Sequence, residues 1–468
     1  MRSPLRLRLL LSLLALIAMV RGLALVGHDP LLALANNYDQ IRYSSCLDLA
    51  PWRPGVPPDR GNPQAPLARY AFQPLPAGTC VWTSDLVFTA PVALAWRLGE
   101  ALGARAVHSI RRLGEWRLLG WWLVAAWATC AFLRERRAGH ALAYLALFAL
   151  VAMDPANLLY LPTFYAEAAA AFAALVCISG IAVALVRPTR VALGVAALGA
   201  ALLATAKFQH LVLPLLLGGA LFAAGAAARR VAFAVVAGGL VGLPLQLAGM
   251  QHATRMAHSI GVVNRADFLL TVLLPESDDR ARVVARLGLE PACVAYAGRS
   301  VYAMPGPVEQ TCTHADRWSR AELWWLLVSD PPALARALAH VPRLLLPWIP
   351  GLGQVEGGHY APLPSTIPSL GAAFGARPAL ALALLLLPWL VLAGAAAARA
   401  PTSARAFALT CASGSSAVAL TALFGDGDVE LAKHAHLAVD FSLASLGVPL
   451  AALAARIAPA PPPAERPA

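Results

Sequence analysis

Apolar positions in this chain gather in long blocks instead of alternating with polar ones. Apolar runs of about 20 residues, enough to cross the hydrocarbon layer of a bilayer, are separated by short arginine-bearing links and by two long polar segments. The blocks predict spans over residues 9–26, 118–133, 141–153, 165–186, 191–206, 211–227, 231–250, 378–398, 406–424 and 437–455. This is the pattern of an all-α, polytopic membrane protein with about ten spans.

Arginine placement orients the spans. With the amino terminus inside and strict alternation, Arg134, Arg136 and Arg137, Arg187 and Arg190, Arg229 and Arg230, Arg399 and Arg405, and Arg456 all fall on the cytoplasmic side. That is the bias expected of short cytoplasmic links. Segment 83–102 stays out of the count, because reading it as a span would move Arg134, Arg136 and Arg137 outside. It is also interrupted by Asp85, Pro91, Arg97 and Glu100, and is expected as a helix on the outer surface. Segment 320–348, with Trp324, Trp325 and Trp348 among charges, has the same interfacial character.

The chain divides into a first helix (1–26), an extracytoplasmic loop with interfacial helices (27–117) and a bundle (118–250). A second extracytoplasmic segment (251–377), C-terminal spans (378–457) and a proline-rich, disordered tail (458–468) follow. The first helix carries a signal-peptide-like front in Arg2, Arg6 and Arg8 and is read as an uncleaved span. No internal repeat is visible in the sequence.

Composition agrees with the class: 59% of residues are hydrophobic and 13% charged, with a mean hydropathy of +0.63. The net charge of +12 comes almost entirely from arginine. Topology accounts for it, and no nucleic-acid partner is called for. Among the cysteines, Cys46 and Cys80 share the first external loop, and Cys293 and Cys312 share the second. Each pair is expected to form a disulfide in an oxidising compartment, with free thiols as the alternative. Such closures contribute roughly 3–4 kcal/mol each on a chain-entropy argument. Cys130, Cys177 and Cys411 fall within spans and read as packing thiols. No spacing resembles a zinc site.

So long a first loop is more than a connector, and an acid just outside the first span points to chemistry at the membrane surface. The loop opens with Asn36, Asn37, Tyr38, Asp39, Gln40, Ile41 and Arg42. Asp39 is the candidate general base toward an acceptor hydroxyl; a plain loop carboxylate or a helix cap is the alternative. Asp48 and Asp59 stand among prolines and read as solvated turns. Asp154 and Glu167 bracket a short aromatic turn that includes Tyr165, and are expected to approach the same mouth as Asp39. A carboxylate such as Glu167 at the membrane boundary is costly unless used or paired, although a helix amino terminus also stabilises one.

Lysine is scarce: only Lys207 and Lys433 occur, both at outer ends of predicted spans. A compact ammonium there suits a lipid phosphate, or anchors a span by snorkelling. Lys207 opens Lys207-Phe208-Gln209-His210, and Lys433 lies within Gly425-Asp426-Gly427-Asp428-Val429-Glu430-Leu431-Ala432-Lys433-His434-Ala435-His436. On a helix, Glu430, Lys433 and His434 would share one face at i, i+3 and i+4. The substrate-binding candidates are thus Asp154, Tyr165, Lys207, His210, Asp426, Asp428, Glu430, Lys433 and His434, with Asp39 and Glu167 catalytic. The last motif could also bind a divalent cation, but it has no fixed ligand spacing, and no cofactor is firmly implied.

A long loop after the first helix, with an acid near its start, resembles the GT-C class of polyprenyl-phosphate-sugar-dependent glycosyltransferases. The stretch from Asn36 to Tyr43, Phe164-Tyr165-Ala166-Glu167, and Gly425-Asp426-Gly427 with Glu430-Leu431-Ala432-Lys433-His434 look like the bacterial glycan-biosynthesis hexose transferase family within it. The resemblance runs in order along nearly the whole chain. It implies a GT-C-type bundle in a bacterial inner membrane with an extracytoplasmic active site. It also implies transfer of a sugar, expected to be a hexose, from a polyprenyl-phosphate donor to an envelope glycan or lipid acceptor, with Asp39 as the catalytic carboxylate. The rival is a transporter or flippase of a lipid-linked glycan. A transporter would bind near the bilayer midplane between repeats, whereas the ionisable residues here gather at the outer boundary.

Overall fold

The structure, a computed structural model, describes residues 3–34, 37–55, 68–312, 318–344, 363–364, 366–370 and 377–457. Asn36, Asp59, Trp348 and the tail 458–468 lie outside these residues. Among the described residues, seven helices are long and apolar enough to cross a membrane: Leu5–Val26, Arg111–Arg134, Ala166–Val186, Ala226–Gln251, Ala379–Ala397, Thr402–Asp426 and His436–Arg456. Their outward faces remain apolar, with Leu13, Leu16, Leu240, Leu245, Leu386 and Leu390 all exposed. So much bare hydrocarbon is unfavourable in water and is accommodated by lipid, which makes this a multi-pass membrane protein. Three further expected spans form shorter apolar helices, Ala138–Ala152, Arg190–Ala206 and Phe208–Ala223.

Between α1 (Ser3–Val26) and α4 (Arg111–Arg134) lie α2 (Asn37–Ser44), a small sheet and α3 (Leu86–Ala101). The sheet runs in the order β1 (Leu49–Pro51), β2 (Arg69–Phe72), β3 (His108–Ser109), with antiparallel neighbours. It departs from the all-α expectation because strands this short show no readable alternation. Cys46 and Cys80 are bonded at 2.12 Å. The helix expected over 83–102 is α3. It packs on α4 so closely that a Cβ on Gly120 would meet the Phe88 ring at 2.9 Å.

The loop ends earlier than the sequence implied, because α4 starts at Arg111 rather than after Arg117. Arg117 is buried and pairs with Asp85 at 2.5 Å. It also donates to the carbonyls of Leu161 and Thr163. A charge that read as loop is satisfied inside the protein, as a buried charge must be.

The bundle continues through α5 (Ala138–Leu147), a π-helical turn (Phe148–Ala152), α6 (Pro155–Leu158), α7 (Ala166–Val186), α8 (Arg190–Ala206), α9 (Leu213–Ala223) and α10 (Arg229–His252). The second long segment starts with α11 (Thr254–Phe268) and a second π-helical turn, Leu269–Leu273. It then holds α12 (Leu274–Glu276), α13 (Arg280–Arg286), α14 (Val308–Thr311), α15 (Arg320–Val328) and α16 (Pro331–Leu344). Here Cys293 and Cys312 are bonded at 2.07 Å. The chain closes with α17 (Pro378–Ala397), α18 (Thr402–Asp426), α19 (Leu431–His434), α20 (His436–Ala444) and α21 (Gly447–Ile457). Cys177 and Cys411 are buried, but Cys130 is exposed on α4 and is not a packing thiol.

The central helix is α7, buried along Ala168, Ala169, Ala170, Ala171, Ala173 and Ala174. A helix apolar on all sides is one surrounded by other helices. Small residues let α8 come close: a Cβ on Gly180 would meet the Ala196 nitrogen at 2.4 Å, and one on Gly199 the Cys177 nitrogen at 2.3 Å. The short links bearing arginine gather at one end of the bundle, where Arg187 pairs with Glu135 at 2.5 Å. The candidate site lies at the other end.

Candidate functional site

Three remote pieces of chain build the site. The first is α2, with Asp39 in its first turn and Arg42 in its last. These two form an i,i+3 ion pair. The buried Gln40 accepts a hydrogen bond from the Phe164 nitrogen at 2.7 Å, and the Val81 nitrogen donates to the Arg42 carbonyl at 2.8 Å. An eight-residue helix is not stable alone; these bonds and the neighbouring disulfide hold it against the bundle.

The second piece is the turn into α7. Arg117 grips its carbonyls, the Thr163 hydroxyl donates to Tyr160 at 2.6 Å, and the Tyr165 nitrogen donates to that hydroxyl at 3.0 Å. The turn so fixed presents Tyr165 and Glu167. Because α7 and α8 form an antiparallel hairpin, Lys207 at the end of α8 returns to Glu167, with 2.9 Å between Nζ and Oε1.

The third piece is the end of α18 and the single turn α19. Gly427 has φ +70, and a Cβ there would meet the Thr271 hydroxyl at 2.4 Å and the Asp267 carbonyl at 3.1 Å. Only glycine permits that conformation and that approach. The Thr271 hydroxyl, placed by the π-helical turn, receives the Asp428 nitrogen at 3.2 Å. The expected helix over Glu430, Lys433 and His434 is not continuous: Glu430 has φ +49 and stands at the amino-terminal cap of α19. Its carboxylate nevertheless reaches Lys433.

These pieces converge. Lys433, 4% exposed, places Nζ 2.9 Å from Asp39 Oδ2 and 5.3 Å from the centre of the Tyr165 ring. Burial opposes its charge, but Glu430, Tyr165 and Glu167 outweigh burial and hold its ammonium above the ordinary lysine range. Lys207 Nζ lies 2.5 Å from His434 Nδ1, and His434 Nε2 lies 3.2 Å from Asp426 Oδ2. An ammonium only donates, so Nδ1 accepts and Nε2 carries the proton toward Asp426. Burial and the two lysines push His434 well below its usual range, keeping the ring neutral. Asp39, Tyr165, Glu167, Lys207, Asp426, Glu430, Lys433 and His434 thus form one connected cluster.

Other candidates sit differently. Asp154 does not take the expected place beside Asp39. It caps α6 through the Ala156 nitrogen, pairs with Arg21 at 3.3 Å, and accepts from the Leu370 nitrogen and the Ser369 hydroxyl. Burial raises its carboxyl above the usual range. Arg21 also donates to the Ala149 and Leu150 carbonyls of the first π-helical turn, so this network is a structural joint. His210 is buried, and its Nδ1 has no hydrogen-bond partner among the described residues. Asp428 is half-buried, with its nitrogen on the Thr271 hydroxyl and its carboxylate acting on Asp267. Burial first, and then the Asp426, Asp428 and Glu430 carboxylates, push Asp267 up to about 7.

Sequence reasoning gave no role to Arg42, whose i,i+3 spacing from Asp39 was the available signal. Asp267 and Thr271 had no such signal. Among the described residues, no group of three His, Cys, Asp or Glu side chains has the geometry to hold a metal ion. Comparison with known proteins adds no relative: no family model, curated protein or solved structure matches the chain.

Proposed function

We propose that this chain is a GT-C-type membrane glycosyltransferase. It moves a sugar, taken to be a hexose, from a polyprenyl-phosphate donor to a hydroxyl of an envelope glycan or lipid. The cluster then faces the extracytoplasmic side of a bacterial inner membrane, with the arginine-rich end in the cytoplasm. The observation that carries this reading is the meeting of Asp39 and Lys433, 394 residues apart, beside a second lysine–carboxylate pair.

Lys433 and Lys207 supply compact positive charge for the donor phosphate, with Arg42 beside them. A phosphate that engages Lys433 competes with Asp39 for the ammonium and leaves the carboxylate open to the acceptor. The acceptor oxygen bonds to the anomeric carbon from the side opposite the phosphate, and Asp39 takes the hydroxyl proton. The bond from that carbon to the phosphate oxygen breaks, and the phosphate leaves with the electron pair, stabilised by the lysines. Configuration inverts.

The test is the purified full chain incubated with labelled polyprenyl-phosphate hexoses and a membrane-extracted acceptor fraction. Label should move into glycan or lipid product and stay in the donor when Asp39→Asn is used. Movement of intact donor across a vesicle, without transfer, would replace this reading with a transporter.

A further inference from the structure

A second polar-ended feature lies apart from the Asp39–Lys433 cluster. A cavity of about 410 Å³ runs between α4, α5, α7, α18, α20 and α21. Along α7 it extends from Ala171 to Val186, about 22 Å at the helical rise. Its walls are apolar, with Leu147, Phe148, Ile178, Phe407 and Val448 among them. Small side chains, including Ala143, Ala182 and Ala404, create the space. The Tyr144 and Ser179 hydroxyls on the wall satisfy each other at 2.8 Å, so the bore offers no open polar group there.

Its two ends differ in chemistry. At the arginine-rich end stand Arg137 and His140. The Arg137 side chain is exposed and has no ion pair among the described residues, while neighbouring Glu135 is taken by Arg187. At the other end stands Asp440, held by the Asn157 amide at 2.9 Å. A long apolar slot inside the spanning helices, with an exposed guanidinium at one mouth and a carboxyl committed to an amide at the other, matches a lipid chain with a negative headgroup.

We propose that this groove holds one chain of an anionic glycerophospholipid, with its phosphate at Arg137 and His140. Moving a chain from bilayer to groove changes little, because lipid tails are as apolar as the wall. Selectivity therefore rests on the head: arginine forms charge-assisted bonds to phosphate oxygens, and a head with no cation of its own to offset that phosphate gains most from them. The reverse orientation is disfavoured, since a phosphate beside Asp440 would meet a carboxyl already held by Asn157 and no cation among the lining residues there. The groove is thus distinct from the place given to the sugar donor, and its occupancy is measured without any transfer reaction.

The experiment uses the full chain in nanodiscs with equal phosphatidylglycerol and phosphatidylcholine, and native mass spectrometry to identify retained lipid. Phosphatidylglycerol should be retained severalfold or more, on the order of tenfold, over phosphatidylcholine, whose phosphate is offset by its own choline cation and gains less from Arg137. Arg137→Gln should abolish that preference, and Arg137→Lys should keep most of it. Ala182→Phe, which fills the bore, should remove retained lipid; if it fails to fold, Arg137→Gln on an exposed side chain still decides. Equal retention of the two lipids, or a preference untouched by Arg137→Gln, would overturn the proposal. So would displacement of the phosphatidylglycerol by added polyprenyl phosphate, which would make the groove the donor's own.

Discussion

Lys433 and Asp39 form a 2.9 Å ion pair across 394 residues of sequence. Each sits on a helix too short to persist alone, Asp39 on the eight residues of α2 and Lys433 on the four of α19. The bundle supplies their order. Gln40 fastens the first to the α7 turn, and the tight Gly427 contact fastens the second to the π-helical turn. Chemistry at this pair is testable by single substitutions that leave those fastenings intact.

Asp39→Asn keeps size and removes the base. Transfer should fall about a hundredfold or more, the usual contribution of a positioned base. Donor KM should stay within a few-fold, since the loss falls on turnover. Steady-state kinetics with the purified protein measures both, and substantial turnover in this variant would shift the role toward Glu167.

Lys433→Gln should raise the donor concentration needed for half-maximal rate by about ten- to a hundredfold, the worth of one charge-assisted phosphate contact. Lys433→Arg should recover part of the loss, because it keeps the charge but not the compact head. Donor titrations distinguish this from simple anchoring, in which both variants would match the parent.

Glu167 and Lys207 are mutually dependent. Lys207→Met leaves the buried Glu167 carboxylate without its nearest cation, and breaking such a pair costs about 3–5 kcal/mol. Adding Glu167→Gln should restore most of that stability. Unfolding in detergent reads it out; equal stability of the single and double variants would show that the pair is not coupled.

Gly427→Ala places a Cβ 2.4 Å from the Thr271 hydroxyl at a φ of +70. The loss should be about 1–3 kcal/mol, as for other side chains forced into this region. Gly219→Ala, where a Cβ meets nothing within 4 Å, should be neutral or slightly stabilising because alanine favours helix. Comparing the two melting temperatures separates strain from a general effect of added volume.

Asp267 makes stability depend on pH. Its carboxyl is raised to about 7 in the folded protein from 3.8, so the folded state holds a proton that the unfolded state has released. The contribution is full below about pH 4 and disappears as pH rises through 7, by at most about 4 kcal/mol. Asp267→Asn should flatten the melting temperature between pH 5 and pH 8, and an unchanged slope would point to other groups.

Much of this was legible in the sequence because charge is rare in an apolar chain. Two lysines against so much arginine singled out Lys207 and Lys433, and both stand in one cluster. The cysteine pairs were readable because each was alone in its polar segment. The misreadings have physical causes. Arg117 looked like loop because sequence shows a charge but not the carbonyls that satisfy it. Asp154 looked like a companion of Asp39 because both flank apolar runs, yet Arg21 reaches across from α1 to claim it. The π-helical turns leave no periodic trace, and the place of Thr271 depends on one of them.

The glycine contacts between α7 and α8 leave that hairpin almost no freedom to slide or spread. Glu167 and Lys207 are therefore mounted on a fixed jaw, at a spacing set by backbone against backbone. Asp39 and Lys433 ride on the opposing jaw, made of two small helices held by a few hydrogen bonds, a disulfide and one glycine contact. On the transferase reading, a donor phosphate that takes Lys433 from Asp39 pulls on that second jaw and not on the first. The order in which its bonds release, rather than the reach of any side chain, would then set how fast the site accepts its load.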